Sequence, residues 1–284
     1  VRLLAVSDLH LGHADNRAIL TDLDDHRNDW LILAGDVGES LTHMALAFEA
    51  LRPRFARLIW VPGNHELWTT DENGERLGGA EKYAALIDLA RMYDVLTPED
   101  AYPTWSDGPE RTPVVLCPLF VLYDYSFRPP DVPLEGLRKW AAEGHALCAD
   151  ELRLSPAPHA NRAAWCRQRV VISRARLNAL PPGTRTVLIN HFPLRKDLLF
   201  IRKVPRLAPW CGTVATDDWH RRYNAMVVVS GHQHVPRTDW RDGTRFEEVS
   251  LGYPREWHGR FDRPRLRDVM REILPGPGGG PVVS

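Results

Sequence analysis

The chain has 284 residues, of which 44% are hydrophobic and 26% charged, with a formal net charge of -1. That balance describes a globular protein with a sizeable core and excludes a global bias towards nucleic acid or an anionic membrane surface. The four cysteines, Cys117, Cys148, Cys166 and Cys211, form no C-x-x-C pair, so neither a zinc ribbon nor a redox motif is signalled and free, mostly buried thiols are expected.

From Arg2 the chain passes straight into a short apolar run at residues 3–6, with no leader pattern before it. No later stretch is long and apolar enough to span a bilayer, so a cytoplasmic setting without a membrane partner is expected. Four further runs rich in Val, Ile and Leu follow at residues 30–34, 58–61, 186–189 and 226–229. Continuous runs of this kind suit strands buried on both faces. Between the first three lie segments with helical period: Ile19, Leu20 and Leu23 behind an Asn16 cap, then Leu41, Met44, Ala45, Phe48 and Leu51, ended before Pro53. The β-α-β-α-β order argues for a layered α/β sheet. Helices are also expected at 81–93 and at 162–180, the second stopped by Pro181 and Pro182. Residues 121–160 carry Pro129, Pro130, Pro133, Pro156 and Pro158 around a helical stretch at 137–147, and read as a lid or surface insertion. Residues 235–240 and 245–251 flank an Asp242-Gly243 turn and predict a β-hairpin. The chain thus reads as a single domain over 1–274, followed by a disordered Gly- and Pro-rich tail at 275–284.

Polar residues of one chemical kind stand where the apolar runs end. The strings are Ser7-Asp8-Leu9-His10, Gly35-Asp36, Gly63-Asn64-His65-Glu66, Asn190-His191 and Gly231-His232-Gln233-His234. An even scatter of the 12 histidines would place about 0.6 of them at roughly 15 such exit positions. His10, His65, His191, His232 and His234 all stand there. Ligands of open α/β sheets bind outside the carboxyl ends of the strands, so these groups converge on one edge. Asp8 and His10, like His232 and His234, are two apart, and in extended backbone each pair points to one side. Gly35, Gly63 and Gly231 relieve steric limits where the chain turns beside them. Singly, each string has an ordinary reading as a capped turn or a surface pair, and the weight lies in their joint occurrence, in order, at predicted strand ends.

The ordered blocks D-x-H, G-D, G-N-H-[DE], H and G-H-x-H, running from Asp8 to His234, resemble those of the calcineurin-like metallophosphoesterase superfamily. The resemblance implies a four-layer αββα sandwich with two mixed β-sheets and a dinuclear metal site at the strand C-terminal edge. It assigns Asp8, His10 and His234 to one metal, Asn64, His191 and His232 to the other, and Asp36 to both. Carboxylate, imidazole and amide donors without thiolate suit Mn or Fe, with Zn as a further possibility. The implied reaction is hydrolysis of a phosphate ester by a metal-bridging hydroxide, with Asp36 and His65 as the catalytic residues. His65 would stabilise the transition state and protonate the leaving alkoxide.

Departures from known branches narrow the substrate. Gly35-Asp36-Val37-Gly38-Glu39 lacks the D-R-G extension of serine/threonine protein phosphatases and has Glu39 where purple acid phosphatases place a metal-binding tyrosine. His65 and Glu66 stand where UDP-sugar hydrolases of the superfamily carry Arg and Asp. What remains resembles a small bacterial metallophosphoesterase. A phosphomonoester of a small metabolite is the first expectation, and a phosphodiester, cyclic nucleotides included, is the alternative. A DNA nuclease would need a basic groove that the composition does not announce, and a non-catalytic scaffold would lack ligands that are all present here. Arg195, Arg202 and His13 are the candidate substrate contacts, weighed against a solvated basic face along 195–206.

Overall fold

Alternation of side chains along each strand sets the layering, because successive residues face opposite sides of a sheet. The molecule is a computed structural model that describes residues 1–72, 74–106, 108 and 112–276. In chain order the strands are β1 Leu3–Val6, β2 His26–Leu33, β3 Phe55–Trp60, β4 Thr70–Glu72, β5 Glu75–Leu77, β6 Val95–Leu96, β7 Thr104–Trp105, β8 Val114–Pro118, β9 Thr186–Ile189, β10 Ala225–Ser230, β11 Arg237–Arg241, β12 Thr244–Glu248 and β13 Arg271–Leu274. One sheet has the order β13-β1-β2-β3-β6 and the other β11-β12-β10-β9-β8-β7, while β4 and β5 form a small separate ribbon. Both large sheets are mixed: β1, β2, β3 and β6 run parallel with β13 antiparallel, and β8, β9, β10 and β12 run parallel with β7 and β11 antiparallel.

Leu3, Ala5, Ile32, Ala34, Ile59 and Val61 from the first sheet meet Val187, Ile189, Val227 and Val229 from the second in one buried cluster between the sheets. Their neighbours Leu4, Val6, Leu31, Leu33, Leu58 and Trp60 face outwards with Met44, Phe48 and Leu51 of helix Leu41–Leu51 and Leu86 and Ile87 of helix Gly79–Met92. Leu188 and Val228 face away from the inter-sheet core and share a cluster with Val170 and Leu177 of helix Arg162–Asn178. Each run thus supplies both of its faces to buried layers, and the result is the αββα sandwich that the resemblance implied.

Several local expectations change. Asn16 caps no helix; it lies inside the short helix Ala14–Arg17 and is fully buried. Its amide donates to the carbonyls of Leu9 and Gly252 and accepts from the Trp257 indole, so tertiary contacts use the side chain that a cap would have needed. The helical period at 137–147 produces a helix only over Leu137–Glu143, stopped at Gly144. Strand β8, which no sequence pattern marks, joins the second sheet beside β9, and β13 closes the first sheet from the far end of the chain. The segment 121–160 begins in the core rather than at the surface. Val121, Leu122, Tyr123 and Phe127 are buried, and Asn190 clamps Val121 by accepting from its N–H at 2.9 Å and donating to its carbonyl at 3.1 Å. Of the expected tail, residues 277–284 lie outside the described residues. Among the described residues no helix is long and apolar enough to cross a membrane.

Ile189 is fully buried between the sheets and immediately precedes Asn190 and His191. Ile189→Ala should cost about 2–5 kcal/mol of stability in urea unfolding. A loss below about 1 kcal/mol would mean that the sheets do not depend on this contact.

Candidate metal centre

The ends of the parallel strands deliver the seven predicted ligands to one edge of the sandwich, but not by extended backbone. Asp8, His10, Asp36, His232 and His234 have φ of 55°, 43°, 52°, 73° and 56°, the left-handed region that side chains other than glycine rarely occupy. They are five of the ten non-glycine residues in that region among the described residues. Such conformations concentrate at functional sites because surrounding structure must hold them. Here Asp8 N–H donates to Gly35 O and His10 N–H to Asp36 O, each at 2.9 Å, while Gly252 N–H donates to Asp8 O at 3.1 Å. Asp8 and His10 therefore converge through a turn, which corrects the expectation of an extended pair.

The three glycines behave as predicted. A Cβ on Gly35, whose φ is 89°, would stand 2.6 Å from Nδ1 of His191. One on Gly63 would collide with the Asp36 carboxylate, and one on Gly231 with Ser7 and Asp8.

The donor atoms form two groups, Asp8 with His10 and His234, and Asp36 with His191 and His232. Asp36 also groups with His10 and His65, the shared position that a bridging carboxylate needs. Nε2 of His234 lies 3.0 Å from Asp8 Oδ1 and 3.1 Å from Nε2 of His10. Nε2 of His191 lies 3.2 Å from Nδ1 of His232, 3.3 Å from Oδ1 of Asn64 and 3.4 Å from Oδ2 of Asp36. With metal–ligand bonds of about 2.1 Å, adjacent ligands stand about 3.0 Å apart in an octahedron and about 3.4 Å apart in a tetrahedron. These spacings fit the edges of such polyhedra, while His10 Nε2 stands wider from Asp8 Oδ1, at 3.7 Å.

The outer hydrogen bonds point the same way. Nδ1 of His191 donates to Ala34 O at 2.9 Å, and Nδ1 of His234 donates to Glu256 at 2.6 Å, leaving each Nε2 free to ligate. Ser7 and Ser250 hydroxyls both donate to Oδ2 of Asp8, at 2.6 and 2.8 Å, which leaves its Oδ1 on the side of His234. Glu66 accepts from the backbone N–H groups of Asp36, Val37 and Gly63 at 2.9, 2.6 and 2.9 Å, and so ties two of the ligand-bearing loops together.

Titration behaviour reflects the crowding. Burial works against ionisation of Asp8 and Asp36, yet the histidines beside them hold both well below the ordinary carboxylate range. Burial also disfavours the charged forms of His191 and His234, but Asp36 raises the first and Asp8 and Glu256 raise the second, each to about 10. Burial and the neighbouring His191 push His232 down to about 3, and burial and His65 depress His10. Burial and the adjacent Asp36 raise Glu66 to about 7.

His65 stands apart from the ligand pairs. Its N–H donates to Asp36 Oδ1 at 2.9 Å, and its Nδ1 donates to Glu39 at 3.3 Å. Its Nε2 lies 3.2 Å from the Tyr253 hydroxyl, and its ring packs on Trp68 with centroids 3.6 Å apart. Burial lowers its pKa, but Asp36 and Glu39 outweigh that effect and raise it. A cavity of about 310 Å³ opens onto His65, Asp36, Asn64, His232 and His234. Its wall is largely apolar, with Leu147, Ile201, Leu207 and Trp210, and Arg255 lies at its exposed edge.

The three predicted substrate contacts are not gathered there. Arg195 pairs with Asp197 at 2.8 Å and donates to Asp217 O, outside the cavity lining. Arg202 is exposed over the Phe200 ring, next to Ile201 of the wall. His13 is exposed, edge-on to Tyr253 at 5.5 Å. Tyr253, Arg255 and Asp150 on the cavity lining and Glu256 behind His234 belong to no motif string, and Glu66, inside Gly-Asn-His-Glu, shows its role only through its backbone partners.

The sequence model of the family described as calcineurin-like phosphoesterase matches residues 1–236. The chain is 45% identical over 282 residues to the acyl-carrier-protein phosphodiesterase PptH of Mycobacterium tuberculosis, a match that covers 97% of this chain and 85% of that protein. It is also similar to the crystal structure of phosphopantetheinyl hydrolase (PptH) from the same organism, with a TM-score of 0.89, 44% identity, and 99% and 98% of the two chains covered.

Because His191 and His234 carry protons at neutral pH before a cation arrives, binding must displace them, and affinity should rise with pH. Titration calorimetry with Mn in buffers of different ionisation enthalpy should show proton release and tighter binding near about pH 8 than near about pH 6. Binding indifferent to pH and buffer would contradict this ligand set. Gly63→Ala should weaken metal binding by about 10–100-fold through displacement of Asp36, as the same titration would show.

Proposed function

The chain belongs to the calcineurin-like phosphoesterase family and is a metal-dependent phosphoesterase, and on that premise we propose that it is a phosphodiesterase acting on a phosphopantetheinyl carrier protein. The observation that carries this reading is 45% identity to a protein named an acyl-carrier-protein phosphodiesterase, sustained over 97% of the chain. It replaces the phosphomonoester expectation with the diester alternative. The cavity supports it: a small polar monoester has no use for Leu147, Ile201, Leu207 and Trp210, whereas a phosphate on a long, partly apolar arm engages both the wall and the polar floor.

In this reading Asp8, His10 and His234 would hold one cation and Asn64, His191 and His232 the other, with Asp36 placed to contribute to both. The nitrogen and oxygen donor set favours Mn or Fe, with Zn possible. A bound cation pair supplies Lewis acidity, which acidifies water and offsets charge on the phosphoryl oxygens. The chain's own residues do the rest. Glu66 fixes the Asp36 and Gly63 backbones, and Glu256 fixes the His234 ring. Glu39 holds Nδ1 of His65, so that Nε2–H faces the Tyr253 hydroxyl and the cavity. Water gives up one proton to solvent and adds its oxygen to phosphorus, the bond from phosphorus to the carrier-protein oxygen breaks, and Nε2 of His65 gives its proton to that oxygen and regains one from solvent. The products are the free carrier hydroxyl and a phosphomonoester on the pantetheinyl arm. Leu147, Cys148 and Ala149 of the 121–160 segment line the same cavity.

Two measurements test the reading. With Mn or Fe supplied to metal-stripped protein, bis-p-nitrophenyl phosphate should be hydrolysed in preference to p-nitrophenyl phosphate. A holo carrier protein should lose the mass of its phosphopantetheinyl group. Cleavage confined to the monoester would overturn the proposal. His65→Ala should lower kcat by about 10²–10⁴-fold with metal content unchanged, whereas Asp36→Asn should lower both. Full activity in either variant would refute the assigned roles.

A further inference from the structure

Asp150 begins the short helix Asp150–Arg153 and is 1% exposed, yet no cation pairs with its carboxylate among the described residues. The nearby guanidinium of Arg162 is spent on backbone and on Glu151: Nη2 donates to the Asp150 carbonyl at 2.6 Å, and Nη1 donates to Glu151 at 3.2 Å. Oδ1 of Asp150 instead accepts from two neutral donors of the catalytic floor, Nδ2 of Asn64 at 3.0 Å and Nε1 of Trp68 at 2.7 Å. Oδ2 is buried without a hydrogen-bond partner. A buried polar oxygen without a hydrogen-bond partner is costly, and here it belongs to the side chain that faces Asn64 and Trp68.

The chemistry of the amide says what that group gains. A primary amide has one end that can ligate a cation and one that cannot. A carboxylate can accept only from the NH₂ end. Asp150 therefore forces Oδ1 of Asn64 towards His191, where it lies 3.3 Å from Nε2. The flipped amide would set oxygen against carboxylate at hydrogen-bond distance and aim NH₂ at the metal position. The same Oδ1 holds the Trp68 indole, whose ring supports the ring of His65 at 3.6 Å. One oxygen thus acts on a ligand and on the platform of the proton donor, and it comes from the segment that the sequence marked as an insertion.

We propose that Asp150 is a positioning residue that selects the ligating orientation of Asn64 and, through Trp68, the seat of His65. The inference rests on the ligand assignment made above. It specifies that one of the two metal positions, and not the other, depends on a residue outside every motif.

Calorimetric titration of the metal-stripped full-length chain with Mn separates the possibilities. Wild type should bind two cations. Asp150→Ala should keep one at wild-type affinity and weaken the second by about 10–100-fold. Asp150→Asn, whose carbonyl can accept the same two bonds, should stay within about threefold of wild type, and this conservative variant keeps the test open should the alanine variant not fold. In an Asn64→Ala background, Asp150→Ala should cost no further affinity. Equal binding by wild type and Asp150→Ala, an Asn variant as weak as the Ala variant, or additive losses in the double variant would each overturn the inference and leave the ligand assignment standing. Fewer than two cations bound by wild type would overturn the ligand assignment itself.

Discussion

Imidazole nitrogens 3.1 and 3.2 Å from one another, beside two buried carboxylates, are an arrangement that a folded chain would not adopt on its own account. Like groups repel, buried polar atoms lose water, and five of the residues concerned take a backbone conformation that side chains disfavour. The remaining structure can be understood as what holds this cluster together until a cation makes it favourable. The inter-sheet core supplies the rigidity. Glu66, Glu256, Ser7 and Ser250 supply directed hydrogen bonds from behind.

The joint between the two sheets lies at the same place. Ser7 N–H donates to Val249 O at 3.0 Å and Leu251 N–H to Ser7 O at 2.9 Å, so the exit of β1 pairs with the chain just after β12. That junction brings Tyr253 and Glu256 next to His10 and His234, although they stand at the far end of the sequence. It also explains the stacking of Tyr253 on His10, with ring centroids 4.4 Å apart, in a site otherwise made of acids and imidazoles. The apolar wall and the ionic floor of the cavity are thus separate constructions. The floor comes from the strand exits, and the wall from residues 147–149 and 201–211.

Much of the chain was legible before any coordinates. The five apolar runs became β1, β2, β3, β9 and β10, because strands buried on both faces must be apolar at consecutive positions. The clustering of Asp8, His10, Asp36, Asn64, His191, His232 and His234 was legible because metal chemistry admits few residue types and the sheet places them at strand ends. Less visible were β8, which no strand-exit ligand marks, and β13, whose partner β1 lies at the opposite end of the chain. Asn16 misled for a related reason, since the residue type that caps helices also suits a buried clamp between distant carbonyls.

The sequence by itself determined the layered class, the edge at which polar chemistry gathers, the residue types that cluster there and the glycines that make room for them. These follow from local chemistry, in which periodicity, steric volume and donor type belong to single residues and their near neighbours. Only the tertiary structure decided that Asp8 and His10 converge through left-handed turns, that Arg195 turns to Asp197 instead of the cavity, and that Glu256, Tyr253 and Asp150 stand behind the motif residues. Those facts depend on distances between segments far apart in the chain, which no local pattern encodes and which packing alone fixes.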